Sequence, residues 1–467
     1  MPKNKPTRQT RNVSVVHPLS AGIDIGSRFH VVAVPPDLDD EPTRSFSSFT
    51  GKLEALVQWL IALGITTVAM ESTGVYWIPL YELLIAAGIE VYLVNARHTK
   101  NVPGRKSDVS DAQWLQQLHS YGLLQASFLP DRDIGKLRSY TRLREQLTRL
   151  RARAQQHIQK ALMQMNVQLH HVVTDVMGLT GRHIISAILV GVRDPKELAK
   201  LRDGRCKNSS EIIEQALHGN YEEDHLFELE MAFSLYNNYS EKILLTEGEI
   251  EAALKKLSAQ SLGSGDGFTN SSGSSAKTKV HRNRRPTLSF DVQPLFTAIT
   301  GRDVLQIPGL GDGAMLTILS ECGTDMRRWK TAKHFTSWLS LAPQNKVTGG
   351  RLKSSSTRGG AGRAANAFFL GAMRLSRMDT ALGSFKRRLA GRAGKGKALV
   401  ATARKLAVLF YKMMSEPFTW NQQGSEAYEQ QMRERQVKRL IKKAEGLGLT
   451  VVPSEGAGEI NAEAALA

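Results

Sequence analysis

The stretch Ala21–Pro36, "AGIDIGSRFHVVAVPP", reads as two short strands joined by a tight turn at Gly26. Working outward, "KLEALVQWLIALG" (Lys52–Gly64) has the spacing of an amphipathic helix closed by a glycine. "TTVAMEST" (Thr66–Thr73) is strand-like, "YWIPLYELLIAAG" (Tyr76–Gly88) is a second glycine-closed helix, and "IEVYLVN" (Ile89–Asn95) is another strand. Hairpin, helix, strand, helix, strand predicts an α/β domain built around a mixed sheet over residues 18–130.

At 467 residues the chain is too long for one hydrophobic core, so two or three domains are expected. Its formal net charge of +18 makes polyanions the natural partner, nucleic acid first. The two cysteines, Cys206 and Cys322, are far apart and show no metal-ligand spacing, so no disulfide framework or zinc site is implied, which fits a reducing cytoplasm. The N-terminal "MPKNKPTRQTRN" is basic but lacks the apolar core of a signal peptide, and no apolar run approaches the ~20 residues of a membrane span. A soluble, cytoplasmic, nucleoid-associated protein without a membrane partner is the expectation.

Residues 131–257 read as helical, with Leu143, Leu147, Leu150 and Ala154 forming a short coiled-coil-like stripe, either a helical hairpin or a dimerising arm. Residues 258–289 contain "SLGSGDGFTNSSGSSAKTKVHRNRRP", a Gly/Ser-rich flexible linker. A mainly α-helical domain spans 290–416, followed over 417–467 by a charged helix and a small-residue tail expected to be disordered.

Four acids fall at informative places. Asp24 lies inside the first strand, Glu71 ends the strand of "VAMEST", and Asp108 and Asp111 sit three apart in "GRKSDVSDAQ", where they would share one helical face. A carboxylate within an apolar strand is costly unless paired or holding a cation. Singly, each has a plain structural explanation: a hydrogen-bonded group, a helix cap or a solvated face. Together, two strand-borne carboxylates and a helical pair can converge at one sheet edge and bind two Mg²⁺ (or Mn²⁺), which serve phosphodiester chemistry.

In the C-terminal half, "IPGLGDGAMLTIL" (Ile307–Leu319) has the form of a helix-hairpin-helix turn, with Gly309 and Gly311 letting backbone approach a phosphate. From Lys346 to Lys412 there are sixteen Lys or Arg and a single acid, Asp379, which reads as a phosphate-binding surface. Lys346, Arg351, Lys353, Arg358 and Arg363 are its candidate contacts around the flexible loop "KVTGGRLKSSSTRGG". "GRAGKGKA" (Gly391–Ala398) satisfies the spacing of an ATP-binding P-loop, but Ala398 replaces the Mg²⁺-binding hydroxyl and no strand precedes it.

"GIDIGSRFHVVAV", "MESTGVYWIPLYELLIAAGIEVYLVNARHTKNVPGRKSDVSDAQWL", "IPGLGDGAMLTILSE" and "WLSLAPQNKVTGG" resemble the DEDD transposases of bacterial insertion sequences, relatives of the Piv DNA invertase. The resemblance implies an RNase H-like, Holliday-junction-resolvase-like N-terminal domain in which Asp24, Glu71, Asp108 and Asp111 are the metal-binding tetrad. It also implies a hydroxyl nucleophile in the C-terminal block, a covalent intermediate with DNA, a noncoding guide RNA from the element, and a homodimer or homotetramer. Where the family pattern has Ser-Gly-Gly this chain has Thr348, so Thr348, Ser354 and Ser355 are the candidate nucleophiles, with Arg351 and Lys353 assisting ionisation or holding phosphate. The alternatives are a metal-only junction-resolving nuclease and a nucleic-acid-binding protein that has lost catalysis.

Overall fold

The computed structural model describes residues 14–72, 74–95, 110–263, 287–358, 360, 362–415 and 424–451. The chain divides into two compact units, Met1–Leu129 and Pro130–Ala467.

The first unit is built on β1 (Ser20–Ile25), β2 (Phe29–Ala33), β3 (Thr43–Ser47), β4 (Thr67–Glu71) and β5 (Glu90–Val94), with α1 (Thr50–Ala62), α2 (Ile78–Ala86) and α3 (Asp111–Ser120). The sheet order is β3-β2-β1-β4-β5. β1 pairs antiparallel with β2, and β2 with β3, while β1, β4 and β5 run parallel. The edge strand β3, "TRSFS", escaped the sequence pattern because it is short, polar and only half buried.

Period-2 alternation sorts the sheet faces. Ala21, Ile23, Ile25, Val68 and Met70 join Leu53, Leu56 and Leu60 of α1 and Leu80 and Leu84 of α2 in one core. Ala69 and Val94 face the other way and pack with Leu115 and Leu118 of α3. Each fully buried leucine contributes about 2 kcal/mol. Gly22, between Ala21 and Ile23, therefore faces α3. A Cβ there would lie 2.3 Å from both the Ala112 carbonyl oxygen and the Gln116 nitrogen, so only glycine lets the helix approach this closely.

The second unit begins with α4 (Arg132–Gln164) and α9 (Glu223–Gly263). Their ion pairs run Asp133–Lys256 (2.7 Å), Arg144–Glu247 (2.6 Å) and Lys160–Glu228 (3.5 Å), so the two helices are antiparallel. The predicted leucine stripe contributes modestly: Leu143 is exposed, Leu147 and Leu150 are half-buried, and only Ala154 is buried. The dense apolar packing lies at the far end, where Ile158, Leu162 and Met165 meet Leu229 and the inserted helices α5 (Leu169–Val172), α6 (Leu179–Leu189), α7 (Pro195–Lys200) and α8 (Ser210–Ala216).

Both ends of the segment expected to be a linker are structured. α9 continues to Gly263, so residues 258–263 are helical, and at the other end Leu288 is buried while Ser289 N–H donates to Glu247 (2.8 Å). Residues 264–286 lie outside the described residues, as does the tail from 452 onward.

There follow α10 (Gln293–Thr300), α11 (Asp312–Cys322), α12 (Ala332–Trp338), the ribbon β6 (Lys346–Thr348) and β7 (Arg351–Ser354), α13 (Arg363–Arg374), α14 (Ala381–Ala393), α15 (Lys395–Ser415) and α16 (Ser425–Glu445). Phe335, Phe368 and Phe410 are fully buried, Phe335 stacking on Phe410 while Phe368 meets both edge-on, and the Tyr411 hydroxyl donates to the Trp329 carbonyl (2.7 Å). Rather than standing apart, the α4–α9 helices share this unit with the C-terminal helices. Arg142 makes a bidentate pair with Glu321 of α11 (2.7 Å for each bond), and Arg138 donates to the carbonyls of Ser320 (3.2 Å) and Glu321 (2.8 Å).

Among the described residues no helix is long and apolar enough to cross a membrane, and both cysteines are free.

Candidate functional site

The sequence marks Asp24 and Glu71, and the sheet brings them to one place. β1 and β4 are parallel with Ile23 opposite Met70, so the next pair in register is Asp24 beside Glu71. By alternation both side chains leave the sheet on the α3 face, at the carboxyl ends of the two strands. Open α/β sheets bind ligands at such ends.

α3 completes the arrangement. Its first turn is fixed by a capping box: Gln113 N–H donates to the Ser110 hydroxyl (3.2 Å) and Ser110 N–H to the Gln113 side chain (3.1 Å). The helix begins at Asp111, which stands at the strand ends where Asp24 points. Asp24 senses it: its pKa is raised first by burial and then by the Asp111 charge, with His30 acting in the opposite direction. The helix N-terminus favours a carboxylate at Asp111.

The described helix starts at Asp111, behind the cap at Ser110. Asp108 itself lies outside the described residues.

A divalent cation, which the resemblance implies, can be tested against this donor set. Among the described residues no group of three or more His, Cys, Asp or Glu is gathered tightly enough to hold a metal ion. The available donors are nonetheless hard oxygens. Asp24 is half-buried and repelled by a second carboxylate, an arrangement that a cation relieves. The chemistry of these donors suits such an ion.

Two features escaped the sequence. His30 on β2 is buried, its Nδ1 has no hydrogen-bond partner among the described residues, and burial holds its pKa low while the Asp24 charge acts to raise it. At the opposite end of α3, His119 is buried with Nε2 2.9 Å from the Thr67 hydroxyl, and its ring stacks on His17 and leans on Tyr92. Burial, and secondarily the His17 charge, push its pKa down to about 4. The backbone N–H groups of Val16 and His17 both donate to the Ser120 carbonyl. One helix thus carries a carboxylate at its head and a histidine clamp at its foot.

In the second unit, the segment expected to be a flexible loop is a two-stranded ribbon. Its two-residue turn is Gly349-Gly350, with φ of 57° and 74°, the left-handed pair that a type I′ hairpin requires. Thr348 pairs with Arg351, and Lys346 with Ser354, so two candidate hydroxyls each lie cross-strand from a cation. Lys353 is the extra residue of a bulge, opposite no residue of β6. Ser355 follows the ladder and is exposed. Ser354 is half-buried, its hydroxyl 3.3 Å from that of Ser356. Val347 and Leu352, paired with each other, are exposed at 58% and 59%.

The other predicted contacts divide. Arg358 is exposed, whereas Arg363 is held in an ion pair with Glu145 of α4. Gly309 has φ 84°, and a Cβ there would lie 2.6 Å from the Gly371 carbonyl oxygen, so its close approach is to α13. Gly311 caps α11, with Arg374 alongside. "GRAGKGKA" is the turn between α14 and α15, with Gly394 at its centre and no strand before it.

Two family models match the chain: the DEDD transposase model of IS110 elements over residues 21–167, and the model described as "Transposase IS116/IS110/IS902 family" over residues 301–387. The chain belongs to the IS110 transposase family. It is therefore an enzyme that acts on DNA, and the family depends on divalent cations. The matches leave the inserted helices at the far end of α4 and everything after Arg387 outside the IS110-type regions. A search of curated proteins finds no match.

Proposed function

We propose that this IS110-type transposase excises and inserts its own mobile element by cutting and exchanging DNA strands, using two sets of groups. The first is the carboxylate set Asp24, Glu71, Asp108 and Asp111 on an RNase H-like sheet, a reading that the strand order β3-β2-β1-β4-β5 supports. The observation that carries the proposal is the approach of Asp111, at the head of α3, to Asp24 on β1, two like charges brought together at the ends of parallel strands. When bound, Mg²⁺ or Mn²⁺ would activate the attacking oxygen and stabilise the leaving one. Asp24, Glu71 and Asp111 would hold it.

The second set is the ribbon. A hydroxyl there attacks the scissile phosphorus, its proton passes to solvent or a nearby base, and the released strand leaves as its 3′-alcohol or 5′-alcohol. Thr348 has the better claim over Ser354 and Ser355: it sits at the tip of an exposed hairpin beside Arg351, whose guanidinium can bind the phosphate under attack. Lys346, Lys353 and Arg358 present further cations to the DNA backbone. Guidance by an element-encoded RNA and a dimeric or tetrameric assembly belong to this proposal, and the net charge of +18 suits a polyanionic partner.

The test traps the reaction on element-end DNA with Mg²⁺ and RNA transcribed beside the gene, and looks by mass spectrometry for a nucleotide-bearing peptide. An adduct on Thr348, absent in Thr348→Val, establishes the mechanism. DNA cut without an adduct, and uncut with Asp111→Ala, would replace it with metal-only hydrolysis.

A further inference from the structure

α14 and α15 together carry nine Lys or Arg residues and no Asp or Glu. Against α14 packs α16, and between them runs a groove of about 490 Å³ lined on the α14 side by Ser384, Arg387 and Arg388 and on the other by Tyr428, Glu429, Arg433 and their neighbours. The α14 residues fall at i, i+3 and i+4, so one helical face supplies that wall.

The groove is ordered from below. Arg387 donates to the carbonyls of Ser376 (3.3 Å) and Met378 (3.2 Å) and to the Ser384 hydroxyl (3.0 Å), and Ser384 in turn donates to Glu429 (3.2 Å). The carboxylate in the lining is thereby engaged. Arg388 and Arg433 are exposed and have no ion-pair partner among the described residues. Behind them, Lys405 of α15 lays its ammonium over the Phe385 ring at 4.1 Å. Partial burial, and then the Arg435 charge on α16, lower its pKa. Ordinary soluble surfaces intersperse both signs of charge. Here the cations of α14, α15 and Arg433 are crowded around a lining that holds one carboxylate, Glu429, and a polyanion would relieve that crowding.

We propose that the α14–α16 groove is a nucleic-acid site separate from the ribbon, holding the phosphodiester backbone of DNA or RNA with Arg388 and Arg433 as its phosphate forks and Tyr428 beside them. Arg388 and all of α16's contribution lie beyond the family match that ends at Arg387. The inference rests on the protein being a nucleic-acid enzyme, not on how it cuts. Arginine suits the role because its planar fork matches two phosphate oxygens at once.

The test uses the full-length chain without divalent cations and three fluorescent probes: a 20-nucleotide single-stranded RNA, the DNA strand of the same sequence, and the DNA duplex. Anisotropy is measured from low to moderate salt. Arg388→Ala with Arg433→Ala should raise Kd about 10-fold and lower the log–log salt slope by about 1.4 on single strands, two phosphate contacts' worth. Arg388→Lys with Arg433→Lys should keep the slope, which separates lost charge from lost fold. The probe with the largest loss identifies the ligand as RNA, single-stranded DNA or duplex. Unchanged Kd and slope on all three probes in the Ala variant would overturn the inference. Failure of the cleavage reading looks different: a protein that neither cuts nor forms an adduct still shows the Ala-dependent loss.

Discussion

The carboxylate site and the ribbon are held in opposite ways. Asp24 and Glu71 stand on strands in the middle of a five-stranded sheet, and Asp111 stands on a helix pressed to that sheet through Gly22. The ribbon has two strands, is exposed on both faces and turns on two glycines. A two-stranded hairpin is marginal alone, so its shape depends on what it rests against. The contrast teaches that the groups needing fixed spacing, the proposed metal ligands, sit where packing sets distance. The groups that must meet a polymer sit where substrate can complete the contacts.

The comparison breaks if the carboxylates are dispensable. Asp24→Asn and Asp111→Asn should each lower strand cleavage about 10³-fold with DNA affinity retained, since each removes a ligand of an ion worth several kcal/mol; near-normal cleavage rates would sink the site. Next comes the scaffold. Gly22→Ala places a methyl against the α3 backbone and should cost about 3 kcal/mol in urea denaturation, with cleavage falling too. A neutral result would mean that α3 moves freely.

Mg²⁺ at a hundredfold its Kd should stabilise the wild-type chain by about 2.7 kcal/mol, and Asp24→Asn should abolish that shift. Calorimetry with and without the ion measures it. A smaller effect concerns His119. Its folded pKa of about 4 lies below the unfolded value, so the fold binds fewer protons between the two. Stability should be full above pH about 6.5 and fall by about 2 kcal/mol as pH drops toward 4. His119→Gln should remove that part of the slope, and parallel curves for the two chains would contradict it. Smallest is Gly350→Ala, where a left-handed φ of 74° should cost about 1 kcal/mol, confined to the ribbon.

Much of the first unit was legible because its strands and helices are locally consistent: alternation in "GIDIG" and "FHVVA", glycine closure at Gly64 and Gly88. The misreadings have physical causes that lay in view. Ser110-x-x-Gln113 is a capping box, and it fixes the start of α3 at Asp111. "KVTGGRLK" carries the Gly-Gly signal of a two-residue hairpin, obscured by its charge and hydroxyls. His119 reads as one more polar residue on a helix until Thr67, Tyr92 and His17 are brought around it. Burial of Glu321 beneath Arg138 and Arg142 was not legible at all, since a pairing across roughly 180 residues leaves no local trace.

That long-range pairing has a consequence for synthesis. At about 5–20 residues per second on the ribosome, Glu321 emerges roughly 10–40 s after Arg142. During that interval every strand of the sheet has already been made, while the arginines of α4 wait exposed for their acid. A nascent chain that stalls in the long insert would present a finished first unit followed by an unneutralised cationic helix, the stage at which co-translational chaperones have most to hold.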